Sequence, residues 1–176
     1  MTYLLFICLM IHSHTSKTIF EFSQESNLDN WYIVDDVVMG GRSSGSFGIN
    51  QKGHGVFKGS VSLDNYGGFS SVRHRFKEKY IGEYTKVVLH VKGDGKKYQF
   101  RVKSQLSDYY SYVTTFATNK DWQEIEIPLE SMYPAYRGRK LNKPNFDQIS
   151  IEEIAFLIGN KKEEDFELMI DKIWLK

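Results

Sequence analysis

Eleven residues, Asp35-Asp36-Val37-Val38-Met39-Gly40-Gly41-Arg42-Ser43-Ser44-Gly45, set two carboxylates beside three glycines and one arginine. Paired carboxylates suit general acid–base chemistry, and glycine-rich loops suit phosphate. Neither chemistry fits this spacing. Adjacent acids on a strand point to opposite faces, so Asp35 and Asp36 work as a pair only across a bulge. No helical pattern follows Gly40-Gly41-Arg42-Ser43-Ser44-Gly45, and a phosphate loop works through the helix it opens. The remaining roles are recognition and bracing. One carboxylate meets Arg42 or Arg73 at a sheet end, where it either fixes a recognition surface or stabilises a turn.

Other candidates lie downstream. Tyr136-Arg137-Gly138-Arg139 joins the two residue types most enriched in binding hot spots, with a glycine that lets both arginines approach a partner. Arginine–carboxylate bonds pinning that loop across the fold are the competing role. Tyr109 and Tyr110, with Trp122, are candidates to stack on a sugar ring, or else to cap the core with bonded hydroxyls. His54, His74 and His90 fall on separate expected strands without metal-ligand spacing. No acidic loop has the ligand density of an EF-hand. No Gly-x-Ser-x-Gly, no phosphate loop and no cysteine nucleophile after the leader are expected, so no catalytic residue, metal or cofactor is expected.

The elements that position these residues are strands. Twelve Phe, eleven Tyr and three Trp in 176 residues favour half-buried pleated surfaces. Short alternating runs recur between turn signals: Thr18–Phe22, Trp31–Val38, Gly45–Ile49, Gly55–Leu63 and Gly68–Phe76. Val87, Leu89 and Val91 share one face of the next run, and Gly93-Asp94-Gly95 followed by Tyr98, Phe100 and Val102 predicts a hairpin. Tyr112–Thr118, Glu124–Leu129, Ile151–Ile158 and Phe166–Leu175 continue the pattern, with a slip in parity that predicts a bulge near Asp171-Lys172. Glu130–Phe146 reads as a long ordered irregular connection. Roughly ten strands and no long helix mean an all-β sandwich or barrel. Twelve of the fourteen glycines lie between Gly40 and Gly95, so the backbone is most contorted in the first half.

A formal net charge of +1 without a charged tail gives no bulk reason to expect nucleic acid. Tyr3 to Ile11 is a nine-residue apolar run, too short to span a bilayer as a helix, before the polar stretch His12-Ser13-His14-Thr15-Ser16-Lys17. It has the shape of a signal peptide over residues 1–16, although no Lys or Arg precedes it and no small-x-small cleavage site follows. A buried first strand and an early start codon are the alternatives. Export to a bacterial periplasm is the expectation and a cytoplasmic location the other. Cleavage would remove Cys8, the sole cysteine.

Six segments in this order and spacing resemble the complex I intermediate-associated protein family: Trp31 to Ser43, Gly55-Val56-Phe57-Lys58-Gly59, Gly67 to Arg73, Gly93 to Tyr98, Tyr136 to Arg139, and Ile154 to Ile158. The resemblance runs from about Ile19 to Leu175. It implies a jelly-roll β-sandwich of galactose-binding type as a single domain over 17–176. It also implies a non-catalytic assembly factor or chaperone-like module with a protein partner, respiratory-complex subunits among the candidates. Mitochondrial members accompany complex I intermediates and plant relatives help photosystem biogenesis. This chain departs from them in having no long targeting region and in a leader of bacterial secretory shape. The alternative is an exported carbohydrate-binding module that takes a glycan. Under the protein-partner reading the contributors are Arg42, Arg73, Tyr136, Arg137 and Arg139.

Overall fold

The computed structural model describes residues 16–176; apart from Ser16, the expected leader and Cys8 lie outside the described residues. Thirteen strands, rather than ten, build two antiparallel sheets. The first seven are β1 (Lys17–Glu21), β2 (Trp31–Asp35), β3 (Ser44–Ile49), β4 (Gly55–Val61), β5 (Ser70–Tyr80), β6 (Lys86–Lys92) and β7 (Lys97–Lys103). The rest are β8 (Ser111–Ala117), β9 (Trp122–Pro128), β10 (Tyr133–Tyr136), β11 (Arg139–Lys140), β12 (Ser150–Ile158) and β13 (Glu164–Leu175). One six-stranded sheet runs β3-β4-β13-β6-β9, with β1 beside the end of β13. The other, seven-stranded, runs β11-β10-β8-β7-β12-β5-β2.

The alternation in the sequence fills the space between the sheets. Val87, Leu89, Val91, Phe57, Leu168 and Ile170 point in from one side, and Val72, Phe100, Val102, Ile154, Phe156 and Ile158 from the other. Burying each such side chain contributes about 1.5–3 kcal/mol. An aromatic group closes one part of the core: Trp31 stacks on His74 at 4.5 Å, with Phe20 and Phe76 packed on the same imidazole.

Three expectations change. The Gly93-Asp94-Gly95 segment is not a hairpin but a corner, because β6 and β7 belong to different sheets. Alternation marks the inward face of a strand and is silent about which sheet the strand joins. Asp94 holds the corner by accepting from Tyr98 Oη at 3.0 Å, Lys96 Nζ at 2.8 Å and the Glu167 amide at 3.0 Å. The run from Trp31 stops as a strand at Asp35, and Asp36–Met39 forms a 3-10 turn. The Glu130–Phe146 connection contains the β10–β11 hairpin. Pro134 is tolerated in β10 because β11 pairs only with Ala135 and Tyr136, so no ladder bond is demanded of the proline nitrogen on that side. The bulge near Asp171-Lys172 is present: the β13–β6 register shifts between Ile170 and Lys172.

Candidate groove on the seven-stranded sheet

The outward face of the seven-stranded sheet can be built from its registers. One row across the strands is Tyr32–Arg73–Ala155–Arg101–Val113–Tyr133. The row on one side is Arg75–Glu153–Lys103, and on the other Val34–Ser71–Leu157–Gln99–Thr115. Arg73, Leu157, Gln99 and Arg101 from these rows form the floor. Tyr109 and Tyr136 rise beside it in an edge-on pair at 5.3 Å, and Met39 and Tyr66 close the end. The result is a groove of about 510 Å³. A hollow of similar volume, about 530 Å³, lies at Lys58 and Asp94 over the six-stranded sheet, but it is shallower, and acids line it together with lysines.

The charge in the groove is one-sided. Arg73, Arg101, Lys103 and Arg137 line it, and no carboxylate does. Glu153, 3% exposed at its side chain, lies at the margin and accepts from Tyr32 Oη at 2.7 Å and Arg75 Nε at 2.8 Å. Arg73 reaches it at 3.6 Å, and the buried Arg73 Nε has no partner. Burial, with Glu153 alongside, pushes the Tyr32 phenol up to about 12. Arg101 bonds only to Gln99 Oε1, through Nε at 3.0 Å and Nη2 at 2.6 Å. Burial first, and the nearby Arg73 second, bring the Arg101 guanidinium down to about 10. Burial also lowers the Lys103 ammonium.

Of the residues singled out in the sequence, Arg73, Tyr109, Tyr136 and Arg137 meet in this groove. Tyr110 stands behind the wall, packed on Tyr109 and Tyr112. Arg139, in β11, is exposed and does not line the groove. Arg42 pairs with Asp64 at 3.4 Å on the surface. Neither aspartate meets Arg42 or Arg73. Asp35 accepts from the Gly45 amide at 2.9 Å and Ser70 Oγ at 2.6 Å. Asp36, fully buried, accepts from Ser43 Oγ and from the amides of Ser43 at 2.9 Å, Gly68 at 2.6 Å and Phe69 at 3.2 Å. Burial alone would raise its carboxyl, but these bonds outweigh burial and hold it below the usual range. A Cβ at Gly41 or Gly67 would overlap this carboxylate, which is why both glycine doublets flank it. Asp36 thus ties the turn bearing Met39 to the loop bearing Tyr66.

Arg137 is presented under strain. Arg137 and Gly138 have φ of 47° and 74°, the two-residue hairpin geometry that favours Asn-Gly. A bulky side chain in the left-handed region costs energy that asparagine or glycine would largely avoid. Its guanidinium lies 5.3 Å from the Tyr136 ring centre.

Alternation puts Gln99, Arg101 and Lys103 on one face of β7, but only the β7–β12–β5 register brings that face beside Arg73. The expectation that the chain holds no Gly-x-Ser-x-Gly is wrong: Gly41-Arg42-Ser43-Ser44-Gly45 carries that spacing of a nucleophile elbow. It lies between a 3-10 turn and a strand, and Ser43, 2% exposed, bonds Asp36 and the Ser62 carbonyl rather than a histidine. On the opposite sheet, His54 and His90 share Asp171 at 3.1 and 2.8 Å beneath Trp122. Trp122 is therefore on the other face from Tyr109 and Tyr110. Among the described residues no group of three His, Cys, Asp or Glu is arranged for a metal ion, and no helix is long and apolar enough to cross a membrane.

A family model described as complex I intermediate-associated protein 30 matches residues 20–170. The mitochondrial complex I intermediate-associated protein 30 of Mus musculus is 22% identical over 90% of this chain and 55% of its own length. The chain thus spans about half of that relative. An uncharacterized protein of Schizosaccharomyces pombe is 27% identical over 82% of this chain and 79% of its own. Among solved structures, the family 11 carbohydrate-binding module of the cellulase Lic26A-Cel5E of Clostridium thermocellum superposes with a TM-score of 0.69, at 19% identity over 92% of this chain and 94% of that one. The Clostridium thermocellum module in complex with a mixed-linked tetrasaccharide gives 0.67, at 19% identity over 91% and 94%. These likenesses establish the jelly-roll sandwich fold.

Proposed function

Because this chain belongs to the complex I intermediate-associated protein 30 family, we propose that it is a non-catalytic binding module of the assembly-factor kind, which holds a protein partner in the groove of the seven-stranded sheet. The observation that carries this reading is the strained, exposed Arg137 beside Tyr136 at the groove wall. Arginine and tyrosine anchor interfaces because each joins a large contact area to directed hydrogen bonds. The mouse relative is named for association with complex I intermediates, which supports a protein as the partner class.

Arg137→Asn separates recognition from folding. Asn-Gly is the preferred pair for this turn, so the melting temperature is expected to hold or rise slightly. Capture of the partner from the native host by the tagged chain is expected to fall about tenfold or more, the effect of losing one hot-spot arginine. Equal capture at equal stability would remove Arg137 from the interface. A large drop in melting temperature would place it in the scaffold.

Carbohydrate binding is the second reading, favoured by the exposed rings of Tyr109 and Tyr136 on a fold shared with carbohydrate-binding modules. Exposed tyrosines offer flat faces to sugar rings. Displacement of the captured partner by a neutral mixed-linkage β-glucan tetrasaccharide would favour it.

A further inference from the structure

We infer that the groove selects an acidic polypeptide segment, seating a partner carboxylate between Arg73 and Arg101. This rests on the groove being the partner's site and names the chemistry of what it takes. Ala155 pairs with Arg73 on one side and Arg101 on the other, so two guanidinium groups rise two strand spacings apart with only a methyl between them. That separation is about 10 Å at the backbone and closes to carboxylate reach through the long side chains. Four cations line the groove, including Lys103 and Arg137, and no acid lines it. The buried Arg73 Nε has no partner, and Arg101 has a neutral one. Arg73 has only the long 3.6 Å contact to Glu153 at the margin, so both guanidinium groups gain from an anionic ligand that bridges them.

The rim argues for polypeptide over an acidic glycan. Val37, Val38 and Met39 stand exposed on the 3-10 turn at the groove's end, and Tyr66 is 98% exposed beside them. Aliphatic side chains give a hydrated sugar polymer little to hold, whereas an apolar residue next to an acidic one in a protein segment would bury them. Asp36 ties the two loops that carry this rim together through its bonds to Ser43, Gly68 and Phe69, which lowers the ordering cost of docking.

The test titrates the full chain with a random poly(Glu,Tyr) copolymer, with polygalacturonate and with neutral mixed-linkage β-glucan, at low and high salt. The copolymer is expected to bind, to weaken with salt, and to weaken about tenfold or more in Arg101→Gln, the loss of one charge-assisted contact. Arg101→Lys, which keeps the charge but not the fork, should fall between. If Arg101→Gln lowers the melting temperature, the Lys variant and the wild-type salt dependence still decide. Undiminished copolymer binding by Arg101→Gln would overturn the inference. So would tighter binding of either glycan, or no copolymer binding at all. If Arg101→Gln keeps the copolymer while Arg137→Asn loses its partner, the charge selection falls and the binding-module reading stands. If neither substitution affects partner capture, the groove reading itself falls.

Discussion

Asp36→Ala is expected to destabilise the fold by about 4 kcal/mol, summed from several buried donors left without an acceptor at about 1–3 kcal/mol each. Those donors are the amides of Ser43, Gly68 and Phe69 and the Ser43 hydroxyl. Water cannot replace the carboxylate cheaply, because Asp36 is fully buried and Gly41 and Gly67 close over it. Asp36→Asn should recover less than half of the loss. Its amide nitrogen would face backbone donors, and only one oxygen would remain to accept. The depressed carboxyl sets a sign for acid. A folded-state value below the ordinary one contributes stability above about pH 4 that disappears as pH falls further. Urea unfolding of the two variants at neutral pH checks this. A loss below about 1 kcal/mol in Asp36→Ala would mean that the two loops are held by something else.

Acidification from pH 6.5 to 4 is expected to remove up to about 3 kcal/mol of stability through His74 alone. Burial, above all, brings the His74 imidazole down from 6.5 to about 4, with Lys79 adding to the fall and the Asn30 carbonyl opposing it. His74 is 5% exposed, stacked on Trp31, and its Nδ1 has no partner. In that window the unfolded chain takes up a proton that the folded one refuses, so stability falls as pH falls. His74→Leu keeps an apolar group against Trp31 and should flatten this dependence, leaving any slope due to other groups. Denaturant unfolding of both proteins at several pH values across the window measures the difference. Parallel slopes would show that the imidazole is charged, or freely hydrated, in the fold.

The two effects act on different parts of the molecule. Asp36 holds the loops that end the groove, while His74 lies in the aromatic part of the core. Their acid responses are separable because one begins where the other finishes.

Which parts of this were legible in the sequence follows from what local patterns encode. Alternation at Val87, Leu89 and Val91 and at Tyr98, Phe100 and Val102 identified inward faces, because burial repeats every second residue. The parity slip at Asp171 exposed the bulge for the same reason. The density of glycine between Gly40 and Gly95 marks a contorted backbone, yet that the Asp36 carboxylate is what Gly41 and Gly67 make room for is settled only by the loops meeting. Sheet membership of β6 and β7 was not legible, since a glycine turn serves a hairpin and a corner alike. The groove was half legible. Tyr136-Arg137 stood out by residue type, and Tyr109 by exposure-prone position. Arg101 did not, because an arginine on the outer face of a strand looks like any solvated charge until β12 brings Arg73 beside it.

The central claim is that the partner lies on the seven-stranded sheet and not on the other. Site-specific photocrosslinking tests it directly, with benzoylphenylalanine in place of Tyr109 in one protein and of Trp122, on the opposite sheet, in another. The partner is predicted to crosslink through position 109 and not through position 122. Adducts from position 122 with none from position 109 would contradict the account.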